Sequence, residues 1–125
     1  MKNLLPLFKA LSDRNRLRVV GVLMKEKELC ACQITELLGI KGASASRHLS
    51  LLVRAGILKS RKEGRWIFFS VNNDKFSDAV LSCIKPKLLK SEEFKHDRKT
   101  IKEILASDIE DICRKQRGEK CCPKK

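Results

Sequence analysis

Apolar positions in the first half of the chain recur every three to four residues in short, separate blocks, a period that predicts helices. Residues 3–11 form a short amphipathic helix that tolerates Pro6 in its first turn. Ser12 and Asp13 offer a cap for a second helix over 14–25, with Leu17, Val20 and Leu23 or Met24 facing inward. A polar connection through Glu26, Lys27 and Glu28 turns into Cys30-Ala31-Cys32, and 33–38 is a short helix closed by Gly39. Residues 40–42 make a tight turn into the stretch around which the rest is organised, 43–58. There Ala45, Leu49, Leu52 and Val53 share one helical face, while Ser44, Ser46, Arg47, His48, Ser50 and Arg54 form an opposite face with no acid. Gly56 supplies the left-handed stop. Helix, short glycine-containing turn, helix is the helix-turn-helix layout, and an apolar back with a small-polar and basic front fits a DNA major groove.

After Gly56 the period changes to two. Residues 57–61 and 66–71 are strand-like, and 62–65 joins them as a hairpin turn. A hairpin behind a helix-turn-helix is a wing, and Arg61, Lys62 and Arg65 place its charge to grip phosphates beside the groove or to enter the minor groove; a solvated hairpin edge is the plainer alternative. Asn72, Asn73 and Asp74 cap a further helix over 75–84, which Pro86 kinks or separates from 87–90. Residues 92–117 read as one long, charge-rich helix with a stripe of Ile101, Leu105, Ile109 and Ile112. So small a core has no obvious place for that stripe, so it is expected, with the first helix, at a dimer interface. The expected fold is therefore mainly α with a β-hairpin, a homodimeric winged helix-turn-helix over 1–117, followed by a flexible basic tail over 118–125 that holds Cys121 and Cys122.

The 125 residues include 28 Lys+Arg against 15 Asp+Glu, a formal charge of +13. That imbalance favours a polyanionic partner, nucleic acid first and an acidic membrane surface second. No run approaches a membrane span and the N-terminus lacks a signal-peptide layout, so a cytoplasmic location without membrane attachment is expected. Six cysteines in such a chain are expected to stay reduced. Two histidines are too few for a His-rich zinc site.

Four stretches in order resemble one family. Leu11-Ser12-Asp13-Arg14-Asn15-Arg16-Leu17 is similar to the opening motif of the arsenical-resistance repressor (ArsR/SmtB) family, and Glu28-Leu29-Cys30-Ala31-Cys32 to its metalloid motif. Ser46-Arg47-His48-Leu49 resembles its recognition-helix signature, and Glu63-Gly64-Arg65-Trp66 its wing. The resemblance spans about 4–84. It implies a homodimeric repressor of double-stranded operator DNA, released when a metal or metalloid binds. The alternative of a small thiol-dependent reductase is not expected, since no Cys/His pairing suggests an activated nucleophile. Thr35 stands where the arsenic-sensing pattern has a third cysteine, and His96 and Asp97 match the family's alternative metal site poorly. Lys41 replaces a capping serine, which leaves Gly42 or Ser44 to cap the recognition helix.

Two thiolates in Cys-x-Cys favour soft, thiophilic species. Residues two apart diverge on a helix and align in an extended segment, so chelation by Cys30 and Cys32 calls for an unwound helix start, and ligand and operator would disfavour each other. The plainer alternative makes both cysteines small apolar residues. The expected inducer is As(III) or Sb(III), without an organic cofactor, held by Cys30 and Cys32 with Cys121 or Cys122 supplying the third sulfur. Cys113, Cys121 and Cys122 form a rival site. Cd²⁺, Pb²⁺ or Zn²⁺ with a fourth ligand and a thiol redox switch are the competing readings. Cys83 is expected to pack. Arg47 and His48 are the expected readers of base edges or phosphates, with Ser44, Ser46 and Ser50 closer to the backbone.

Overall fold

In the computed structural model, residues 4–117 are described. Seven helices and three short strands follow in the order α1 (Leu4–Leu11), α2 (Arg14–Lys25), β1 (Leu29–Cys30), α3 (Ala31–Leu38), α4 (Gly42–Arg54), β2 (Leu58–Glu63), β3 (Trp66–Val71), α5 (Lys75–Leu89), α6 (Glu92–Leu105) and α7 (Ile109–Arg117). The helix-turn-helix is α3–α4. Gly39, at φ 65°, takes the left-handed turn that lets the chain leave α3. Lys41 holds the N-cap of α4 without a side-chain hydrogen bond, so neither Gly42 nor Ser44 replaces the missing cap. The β2–β3 hairpin turns at Gly64 and Arg65, with Glu63 opposite Trp66. Beyond the expected hairpin, β1 adds a third antiparallel strand, in order β1-β3-β2, pairing Leu29 with Phe69 and Cys30 with Phe68. Two residues are too few for alternation to show. Among the described residues no helix is long and apolar enough to cross a membrane.

The C-terminal third differs from its sequence pattern. Pro86 neither kinks off nor separates a segment; α5 runs through it to Leu89, with Pro86 on an exposed face. The long helix expected over 92–117 breaks at residues 106–108. Asp108 explains the break: its carbonyl accepts from Ile112 N and its carboxylate from Glu110 N (3.4 Å), the local bonding by which aspartate opens a new helix. The break turns α7 back onto α3. The stripe thereby finds its place inside the chain. Ile101 and Ile112 are buried in the common core, Ile109 is half-buried against it, and only Leu105 is exposed. Asp97 is 1% exposed and accepts from Arg18 Nε and Nη2, both at 2.9 Å, tying α6 to α2. That bond raises the Arg18 pKa. Asp97 is thus committed to an ion pair.

Candidate metalloid centre and nucleic-acid interface

The sheet sets the geometry of Cys30. Its pairing with Phe68 keeps it extended (φ −75°, ψ 152°) while it serves as the N-cap of α3, and Gln33 Oε1 accepts from its N–H at 2.9 Å. Cys32 lies in the first turn of α3. Because one residue of the pair is extended and the other helical, the two side chains converge, with Cys30 Sγ 3.4 Å from Cys32 Sγ. The helix start is already open at the cap. The unwinding expected from the spacing is not required.

A third sulfur arrives from α7. Cys113 forms a disulfide with Cys32 across 81 positions of sequence, with Cα atoms 5.7 Å apart. This corrects the expectation that every cysteine stays reduced. Cys30, Cys32 and Cys113 are 0%, 1% and 0% exposed, so three contiguous sulfurs are enclosed between α3 and α7. Polar contacts hold the same seam: Gln116 Nε2 donates to the Cys32 carbonyl (2.8 Å) and to Glu36 Oε1 (3.2 Å), and Lys115 Nζ donates to Glu36 Oε2 (2.9 Å). The Lys115 bond holds the Glu36 carboxyl below its ordinary pKa. Thr35, in the position of the absent third cysteine, donates its hydroxyl to the Ala31 carbonyl at 2.8 Å. Cys83 is exposed on α5 and does not pack. Cys121 and Cys122 lie outside the described residues.

On α4, Ala45, Leu49 and Leu52 are buried, while Ser46, Arg47, Ser50 and Arg54 are exposed along the opposite face. Ser44 is half-buried. His48 turns toward α2, where its Nδ1 lies 3.0 Å from Arg16 Nη1 and 4.0 Å from Asp13 Oδ2. An arginine donor makes that nitrogen the acceptor, which places the ring proton on Nε2. A groove of about 1330 Å³ runs between α4 and the sheet, bounded by Ser46, Ser50, Arg54 and Ser60, and reaches Cys32 and Gln116.

The three basic wing residues are not equivalent. Arg61 donates to both carboxylate oxygens of Glu28 (2.7 and 2.8 Å) and to Glu63 (2.5 Å), and its guanidinium lies over Phe68. These bonds raise the Arg61 pKa and lower that of Glu28. Arg65 pairs with Glu110 of α7 and lies over the Trp66 ring, 5.3 Å from its centroid. Lys62, like Arg47, is exposed and has no ion pair among the described residues. Sequence reasoning missed Glu28 and Glu110, because neither lies within a local pattern that points at the wing.

The family model "Bacterial regulatory protein, arsR family" matches residues 13–60, from the cap of α2 through α4 into β2. A cadmium resistance transcriptional regulatory protein CadC homolog of Staphylococcus aureus is 41% identical over 73 residues, 58% of this chain and 60% of that protein. An uncharacterized HTH-type transcriptional regulator of Methanocaldococcus jannaschii is 35% identical over 74 residues, 59% of this chain and 83% of its own length. The crystal structure of the AntR antimony-specific transcriptional repressor superposes with a TM-score of 0.53 at 25% identity, covering 68% of this chain and 78% of that one. The chain spans about three fifths of the length of the cadmium-resistance regulators it matches. With a winged helix-turn-helix built from matching motifs and a relative matched over most of its length, the chain belongs to the arsR family of bacterial regulatory proteins.

Proposed function

We propose that this chain is a cytoplasmic, homodimeric transcriptional repressor that leaves its operator when trivalent arsenic or antimony binds the thiolates of Cys30 and Cys32. The observation that carries this reading is the 3.4 Å approach of the two sulfurs at the start of the helix that leads into α4. A soft ion bound there acts on the first helix of the DNA-binding unit itself. In the DNA complex, α4 enters the major groove with Ser46, Arg47 and Ser50 toward base edges and backbone, and Lys62 of the wing meets phosphate. Dimerisation is supported by α1, where Leu5 and Phe8 are 53% and 51% exposed, an apolar face that a second copy would cover.

The test is fluorescence anisotropy of labelled DNA from upstream of the protein's own gene, titrated with sodium arsenite after reduction by a phosphine. Release at low micromolar arsenite is expected, with weaker release by Zn²⁺. DNA binding that arsenite and antimonite leave unchanged would overturn the metalloid assignment. A second reading, release by Cd²⁺ through the same thiolates, is favoured by the cadmium-resistance relative, and the same titration with Cd²⁺ separates the two.

A further inference from the structure

We propose that Cys113 is the third sulfur donor, so that Cys30, Cys32 and Cys113 of a single chain form a three-sulfur site for a trivalent metalloid. In this arrangement α7 is the latch that carries occupancy to the wing. The proposal rests on the metalloid reading above and deepens it. Position 35, where the family's arsenic-sensing pattern has its third cysteine, holds a threonine bonded to its own helix. The fold brings a replacement across 81 positions, from a helix that exists only because the chain breaks at Asp108. All three sulfurs are buried and contiguous, with Cys32 between the other two. Three soft thiolates held together suit a trivalent, thiophilic metalloid.

The chemistry balances in two steps. A low-molecular-weight thiol reduces the Cys32–Cys113 disulfide: two external thiols give up two protons and two electrons, leaving two cysteine thiols and one external disulfide. Arsenous acid then exchanges its three hydroxyls for three thiolates. Three As–O bonds break and three As–S bonds form, and each thiol proton leaves on a hydroxyl as water, with no change in oxidation state. Either the disulfide or the metalloid therefore ties α7 to α3.

The route to DNA is one residue long. Glu110, in the first turn of α7, holds Arg65 at the tip of the wing. While α7 is tied down, a carboxylate occupies the guanidinium that would otherwise meet a DNA phosphate. In the reduced, ligand-free chain α7 keeps the apolar packing of Ile109 and Ile112 and the polar contacts of Gln116, Lys115 and Glu110 but loses its covalent tie to α3, so Arg65 can exchange Glu110 for phosphate. Metalloid capture and oxidation lower operator affinity through the same helix.

The experiment uses the full chain, reduced with a phosphine and titrated with sodium arsenite. It follows sulfur-to-arsenic charge-transfer absorption and, separately, anisotropy of operator DNA. Cys121→Ser with Cys122→Ser is expected to titrate like the unmodified protein, whereas Cys113→Ser loses at least tenfold in arsenite affinity. Glu110→Gln is expected to bind arsenite normally yet release DNA less completely. Since Cys113→Ser alters a buried position, the unmodified protein is also alkylated with iodoacetamide, and arsenite is expected to protect Cys30, Cys32 and Cys113 together. An unprotected Cys113, or loss of binding in the tail variant, would overturn the assignment of the third donor. Absence of any charge-transfer band would overturn the site. Three-sulfur binding that leaves DNA bound would keep the site but overturn the α7 latch and the metalloid-induced release.

Discussion

Arg61 and Lys62 are neighbours on the wing, yet their surroundings give them opposite roles. Arg61 is held by two carboxylates, and exchanging both for one phosphate yields no net gain in charge pairing. Lys62 carries no such partner among the described residues and releases a DNA counterion outright. Lys62→Ala is therefore expected to reduce the slope of log affinity against log salt by about 1, while Arg61→Ala leaves the slope unchanged. Glu28→Gln combined with Glu63→Gln frees Arg61 and is expected to steepen it by about 1. Anisotropy at four or five salt concentrations measures all three. Arg47→Ala, at the exposed face of α4, is expected to cost roughly 1–3 kcal/mol of operator affinity, read from the same titrations.

At the scale of elements, α6 and α7 are fixed by different means. The Arg18–Asp97 pair anchors α6 with a carboxylate 1% exposed. Asp97→Asn leaves the guanidinium without its counter-charge and is expected to cost about 3 kcal/mol of stability, seen as a lower urea midpoint. Asn15 and the Leu37 carbonyl still accept from Arg18 and moderate the loss. The α7 seam combines the buried Ile112 and the disulfide with Glu36, whose carboxyl is held below its ordinary pKa of 4.5. A depressed carboxyl contributes fully above its unfolded pKa and loses that contribution as pH falls through the folded value. In reduced protein, the protection of α7 amides relative to their intrinsic exchange rates is accordingly expected to hold from neutral pH down to about 5 and to fall below about 4.5. Helices α2, α3 and α4 and the hairpin were legible because period, caps and glycines all act locally. The turn at residues 106–108 was written in Ser107-Asp108, but a sustained apolar stripe outweighed it. Cys113 was legible only as part of a rival site with Cys121 and Cys122, since it meets Cys32 only after that turn folds α7 back.

For the whole molecule, the formal charge of +13 is expected to act on a nucleic-acid partner chiefly through counterion release. Operator affinity is expected to fall with salt at about 0.9 log units per log unit for each phosphate neutralised; a flat response would contradict the nucleic-acid interface. Basic residues are spread along the chain, so the sequence pointed to a polyanionic partner but not to which cations remain available. Pairing across the fold decides that: Glu28 lies 33 positions from Arg61, and Glu110 lies 45 from Arg65.

Trp66 is the chain's single tryptophan, and it sits at the end of the hairpin with Arg65 over its ring. Its Nε1 is buried without a hydrogen-bond partner among the described residues. Intrinsic emission therefore originates from one indole, at the point where the wing, the arginine and α7 meet. The unlabelled protein carries its own optical gauge of the wing. Reduction is expected to shift Trp66 emission, arsenite to reverse the shift, and Glu110→Gln to uncouple the signal from both.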